Sequence, residues 1–181
     1  MTIKYRQLQP SEYQRINEID ASDFIKRAWR NVDGTMQWIE LNFHEEGYPN
    51  GYENHLAALK QTFEGGGFAI GAFDDSRLVG FCSVNREIFG TQKYVLLDQI
   101  FISADHRGKG IGKKLFYLSA EKAKQWGANK LYICSSSSES TLAYYAALGC
   151  TNAQEINQEL YESDTRDIQL EYDFALLENN L

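Results

Sequence analysis

Apolar positions along the chain recur in two rhythms, and the changes between them predict the order of elements. Over "SEYQRINEIDASDFIKRAWR" the apolar residues keep a mixed helical spacing behind a cap at Ser11, which predicts one helix or two short ones. "NFHEEGYPNGY" collects Gly47, Pro49, Asn50 and Gly51 and reads as a loop. "ENHLAALKQTF" predicts a further helix, stopped by Gly65–Gly67. The period then shortens. "FAIGAFDDSRLVGFCSV" holds two apolar runs around Asp74–Arg77, a hairpin pattern. "KYVLLDQIFIS" is apolar on both faces, as expected in mid-sheet. "GIGKKLFYLSAEKAKQWG" puts Ile111, Leu115, Leu118, Ala123 and Trp126 on one helical side, with Gly127 as the stop. "KLYIC" reads as a strand. "SSSSESTLAYYAALG" reads as a helix with a capping box at Ser136 and Glu139, ending at Gly149. "EINQEL" and "DIQLEYDF" read as closing strands, and the alternation of Ile168, Leu170, Tyr172 and Phe174 predicts one buried face.

Helices, hairpin, strand–helix–strand–helix, then a strand pair: this order predicts one α/β domain over 1–181 with a mixed sheet and a right-handed parallel unit at its centre. Length and composition agree, since 181 residues at 43% hydrophobic and 13% aromatic can bury a core and are neither disordered nor fibrous. The net charge of −7 argues against a general nucleic-acid partner and suits a cationic one. No apolar run nears the roughly 20 residues that span a bilayer, and "MTIKYRQLQPSEYQ" lacks the apolar segment of a secretion signal, so neither membrane nor export is expected. Cys82, Cys134 and Cys150 are odd in number and lack metal-ligand spacing, which predicts reduced thiols and a cytoplasmic location.

One stretch stands apart. "ISADHRGKGIGKKLF" packs glycines and cations between a buried strand and an amphipathic helix. A helix N-terminus offers unpaired N–H groups and about half a positive charge, and glycines let a ligand approach the backbone. With Arg107, Lys109, Lys113 and Lys114 nearby, the stretch predicts an anion site suited to a pyrophosphate. It is not the phosphate loop of nucleotide hydrolases: Arg107 stands where that loop needs glycine, and Lys114 where it needs Ser or Thr. The dinucleotide fingerprint fails too, at Lys113 or Leu115 depending on the starting glycine.

The pattern that fits is Arg-x-x-Gly-x-Gly, met by Arg107, Gly110 and Gly112. Here the chain resembles the GNAT superfamily of N-acetyltransferases. "LVGFCSV", "LDQIFISADHRGKGIGKKLF" and "TLAYYAALGC" are similar to its third strand, its fourth strand with loop and helix, and its late helix. In that helix a tyrosine stands four residues before a glycine, as Tyr145 does before Gly149. Two positions depart: Ser138 replaces a frequent asparagine, and Cys150 replaces the usual aromatic.

The resemblance implies a mixed central sheet flanked by helices, with the fourth strand splayed from the fifth, and acceptor-side helices over 10–64. It implies acetyl-coenzyme A as cosubstrate, held by Arg107, Gly108, Lys109, Gly110, Ile111, Gly112 and Lys113, by the main chain of Ile100, Phe101 and Ile102, and by Ser138. It implies acetyl transfer to a primary amine of a small molecule or peptide, with Tyr145 as acid. Members are often dimers, so a homodimer is compatible. The same fold also allows a non-catalytic acyl-coenzyme A sensor.

Asp98 is a candidate base on its own terms: a carboxylate inside "YVLLDQIFI" must be paired or shifted upward, on the strand face of Ile100 and Ile102. A structural carboxylate is the equal alternative. Tyr144, about 100° round the helix, reads as packing. Between Trp29 and His55, aromatics (Trp29, Trp38, Phe43, Tyr48, Tyr52) interleave with Glu40, Glu45, Glu46 and Glu53, which suits a cationic amine. His44 and His55 lack a third ligand, so no metal site is expected. His106 borders the loop, within reach of phosphate or solvent.

Overall fold

The computed structural model describes residues 2–179. In chain order it holds strand β1 (Ile3–Gln7), a 3-10 segment (Pro10–Glu18), β2 (Asp23–Val32), β3 (Thr35–Glu45), helix α1 (Tyr52–Glu64), β4 (Phe68–Asp74), β5 (Arg77–Val84), β6 (Tyr94–Ile102), α2 (Ile111–Lys124), β7 (Lys130–Ser135), α3 (Glu139–Leu148), β8 (Thr151–Asn152), α4 (Gln158–Ser163) and β9 (Ile168–Asp173). Seven strands form one sheet in the order β1-β4-β5-β6-β7-β9-β8. Only β6 and β7 run parallel, joined by α2; the other pairs are antiparallel.

Both faces of the sheet are covered, so β4 and β5 are apolar throughout rather than alternating. Phe68, Ile70, Val79, Cys82, Val95 and Leu97 meet Leu115, Phe116 and Tyr145 from α2 and α3. On the opposite face Ala69, Phe73, Leu78 and Phe81 meet Ile16 of the 3-10 segment and Leu59 of α1. The chain enters β4 through Gly67, where a Cβ would stand 2.5 Å from the Val84 carbonyl oxygen and 2.8 Å from the Thr62 carbonyl oxygen. Neither backbone atom can yield cheaply. Gly67→Ala is therefore expected to lower stability by about 1–3 kcal/mol in chemical denaturation.

Several sequence-based expectations need correction, beginning with β1, a strand at Ile3–Gln7 ahead of the expected helices. Within 10–64, only the 3-10 segment and α1 are helical; Asp23–Glu45 is a hairpin of β2 and β3, forming a separate two-stranded sheet. The overlooked signal is Asp33–Gly34, whose φ angles of 51° and 83° make the tight turn that Asp-Gly favours between strands. "EINQEL" is not a strand. Its last residues begin α4, capped by Asn157, whose Oδ1 accepts from Leu160 N at 3.1 Å. The cap of α3 is Ser138 rather than Ser136. Strand β9 is buried on both faces, because Gln169 accepts from the Tyr132 hydroxyl at 2.8 Å and Glu171 accepts from Lys130 Nζ at 2.7 Å. Paired polar groups thus occupy the face that alternation assigned to solvent.

Candidate active site

The parallel pairing of β6 with β7 runs from Tyr94↔Lys130 to Leu97↔Ile133 and stops there. Strand β6 continues to Ile102 paired only with β5, and β7 continues to Ser135 paired with β9. The two strands open into a V. Its cause is local. Ser83 faces Gln99 and Val84 faces Leu97, so Asp98 has no partner on β5 and forms a bulge. A bulge bends its strand and re-aims its side chain. Residues 98–102 consequently have no strand partner on the side of β7.

The bulge also corrects the expected face of Asp98. Ile100 and Ile102 pack on the α2 and α3 side, whereas Phe101 lies on the α1 side against Tyr48, His55 and Phe81. Asp98 turns towards α1, where its Oδ2 accepts from Thr62 Oγ1 and Gln99 Nε2, both at 3.3 Å. Burial pushes its carboxyl above the ordinary range, and these bonds and the charge of His55 offset that rise only in part.

At the far end of β6 the glycine loop opens α2. Gly110, at φ 77°, is the residue before the helix, and Lys114 N to Gly110 O at 3.1 Å is the first helical hydrogen bond. The N–H groups of Ile111, Gly112 and Lys113 precede it and point out of the helix end. No atom lies within 4 Å of where a Cβ would stand on Gly108 or Gly110, so the approach is open. Arg107 does not hang free: Nε donates to Ile102 O at 3.1 Å and Nη1 pairs with Asp23 at 3.0 Å. Lys109 Nζ donates to Asp105 O at 2.8 Å, and Lys113 lies over the Tyr117 ring. His106 is buried, and its nitrogens face Asp105 at 2.7 Å and Asp74 at 3.2 Å. That pairing, with Ser103 and Arg77, holds Asp105 far below the usual carboxylate range. The loop and the helix end thus leave main-chain N–H groups open to an anionic ligand beside the unpaired stretch of β6.

Strand β2 crosses the open end of the V. Asp23 meets Arg107, which follows β6, while Ala28 bridges to Ser138 and Trp29 N donates to Ser137 O at 2.8 Å, both beyond β7. Arg27 adds an ion pair with Glu139 at the start of α3. Ser138 is buried and its hydroxyl donates to Thr141 Oγ1 at 2.8 Å.

Tyr145 is buried in the α2–α3 core, and burial raises its phenol above the ordinary value. Burial is the larger cause of the rise at Cys82 and Cys134, and both thiols lie near enough to Asp98 for its charge to add to it. Burial pushes each thiol up to about 12, so neither is a thiolate at neutral pH. Tyr144 packs against the core, as expected. Its hydroxyl is buried without a hydrogen-bond partner, and a Cβ on Gly112 would stand 3.3 Å from it.

The supposed acceptor wall divides. Tyr48 and Tyr52 meet at a tilt, with ring centroids 6.0 Å apart, and donate to Ile16 O at 2.8 Å and Gln14 O at 3.2 Å, so they fasten α1 and its preceding loop. Trp29 and Trp38 meet edge to face at 5.1 Å on the hairpin, with Arg27 over Trp38. Among the described residues no group of three or more His, Cys, Asp or Glu could hold a metal ion, and no helix is long and apolar enough to cross a membrane.

Comparison with known proteins agrees with this geometry. Residues 32–150 match the family model described as "Acetyltransferase (GNAT) family". A streptothricin acetyltransferase of Streptomyces lavendulae is 27% identical over 145 residues, covering 73% of this chain and 72% of its own. The crystal structure of nourseothricin acetyltransferase superposes with a TM-score of 0.71 at 20% identity, covering 96% of this chain and 99% of its own. A Bacillus anthracis str. Ames protein solved in complex with acetyl coenzyme A superposes at 0.72 and 14% identity, with the same coverage. At such identities the two superpositions speak for the fold.

Proposed function

This chain belongs to the acetyltransferase (GNAT) family, and on that premise we propose that it transfers the acetyl group of acetyl-coenzyme A directly to a primary amine, with both reactants bound at once. The observation that carries the proposal is the V between β6 and β7, with the anion loop at its rim. Acetyl-coenzyme A, when bound, supplies an activated acyl thioester. The N–H groups of Gly108 to Lys113 hold the diphosphate, and Arg107 adds charge beside them. The bare edge of residues 100–102 takes the amide-bearing arm, and an N–H there polarises the thioester carbonyl. Ser138 lines the β7 side of the V.

On the α1 side, Asp98 accepts the proton that the amine releases as it attacks. Its raised carboxyl lies closer to neutrality than a free aspartate, which favours that role. Tyr145 donates a hydrogen bond to the departing thiolate. With its phenol raised by burial, complete proton transfer is uphill and the hydrogen bond carries the effect. A charge-assisted bond of about 1.5–3 kcal/mol predicts that Tyr145→Phe lowers kcat about 10- to 100-fold without changing coenzyme affinity, as steady-state kinetics and calorimetry would measure. An acyl-cysteine route is disfavoured by thiols at about 12.

The acceptor is proposed to be a cationic amine. The net charge of −7 and the hairpin with Trp29, Trp38 and Glu40 favour it, as does the 27% identity to an enzyme named for streptothricin. Thiol release from acetyl-coenzyme A over a panel of polyamines, aminoglycosides, streptothricin-type amines and peptides tests the reading. Turnover confined to cationic small molecules is expected. Tight coenzyme binding without turnover on any amine would instead indicate a sensor of the same fold.

A further inference from the structure

His55, on α1, has both ring nitrogens within hydrogen-bond distance of oxygen. Nε2 is 2.7 Å from the Pro49 carbonyl oxygen and Nδ1 is 2.8 Å from Gln99 Oε1. A carbonyl cannot donate, so Nε2 carries hydrogen. The state of Nδ1 depends on which end of the Gln99 amide faces it.

The surroundings of Gln99 decide that. The side chain is buried, and its other end lies 3.2 Å from the His55 carbonyl oxygen and 3.3 Å from Asp98 Oδ2. Both are acceptors, so an amide nitrogen placed there makes two hydrogen bonds. The reversed amide would set its oxygen against both acceptors, and a proton on Asp98 would relieve only one of these clashes. The amide is therefore fixed with Oε1 towards the ring, and Nδ1 carries hydrogen as well.

We infer that His55 is a fixed imidazolium, bridged through the Gln99 amide to the Asp98 carboxylate, and that it acts as a positioning residue for the proposed base. The inference rests on the reading of Asp98 as the proton acceptor. A cation beyond the amide keeps the carboxylate ionised against the cost of burial. It also disfavours an acceptor still bearing its ammonium proton, so the site selects the neutral nucleophile. The groups facing the pair are Tyr48 and Phe101, whose rings pack on His55, Thr62 from α1, Cys82 from β5 and Cys134 from β7. None of them supplies another ionised partner to the ring. The sequence marks His55 only as a histidine without metal partners; its role emerges once α1 lies across β6.

Nitrogen-15 spectra of the intact protein, labelled at histidine, test the protonation state without any turnover. The chain has three histidines, and loss of one ring signal in His55→Gln assigns it. At pH 7.5 both His55 ring nitrogens should carry hydrogen, and Gln99→Leu should remove one. A singly protonated ring in the native protein overturns the inference. The second arm is the pH profile of kcat/KM. His55→Gln should move the acid limb to higher pH while keeping the plateau, which mere structural support would not do. An unmoved limb also overturns the inference. If Asp98→Asn leaves the limb in place while the spectra show the imidazolium, the base assignment fails and the charge network stands.

Discussion

Replacing Arg107 by glutamate is expected to weaken coenzyme A binding at least about 100-fold, measured by calorimetry at low salt. The guanidinium joins the end of β6, through Ile102 O, to the start of β2, through Asp23, at the rim of the anion loop. Glutamate would reverse a charge next to the proposed diphosphate site and set a second carboxylate against Asp23. Two unit charges about 5 Å apart interact by roughly 3 kcal/mol at an effective dielectric of about 20, and reversal changes both terms. Every 1.4 kcal/mol is about tenfold in affinity. Arg107→Gln should lose far less, since glutamine can still bridge Ile102 O and Asp23, and the helix-end N–H groups remain. High salt should narrow the gap between the two variants. Equal affinity for wild type and Arg107→Glu would remove the diphosphate from this loop.

Much of this site is local in sequence, which is why it is legible there. Arg107–Gly112 must be a flexible, cationic helix entry whatever surrounds it, and the apolar run from Tyr94 to Ile102 must be a central strand. The parts that stay hidden depend on register or on distant segments. Alternation places Asp98 with Ile100, and only the pairing of Gln99 with Ser83 and Leu97 with Val84 exposes the bulge that turns it to Thr62. The hairpin at 23–45 carries helix-compatible residues such as Lys26, Arg27 and Ala28, and its strands are stabilised by each other and by Ser137–Ser138, which lie over a hundred positions away. His55 and Gln99 are 44 residues apart, and nothing local to either points to the other. Helical phase is enough to place Tyr144 as packing, but not to show that Gly112 lies against its hydroxyl.

Asp98→Asn should separate activity from stability in opposite directions. If Asp98 takes the proton of the attacking amine, its loss removes general base catalysis, and kcat/KM should fall about 100- to 10,000-fold. Coenzyme binding should persist, because the loop and the strand edge are untouched. The acid limb of the pH profile should vanish with the titrating group. Stability should respond the other way. The carboxyl is raised in the folded protein by burial, whereas the unfolded chain titrates near an ordinary aspartate, about 3.9. Between these values the folded state binds more protons, so wild-type stability falls as pH rises through the raised value. Asparagine has the same shape, can still meet Thr62 and Gln99, and carries no charge to bury. The variant should therefore melt at a higher temperature than wild type at neutral pH, and the advantage should disappear in acid, below the ordinary aspartate range. The charged network tempers this gain, since a fixed His55 cation would lose its partner. A melting temperature below wild type at neutral pH would mean that the Asp98–Gln99–His55 pairing outweighs the burial cost. Activity within a fewfold of wild type with the acid limb intact would assign the proton to water rather than to this bulge.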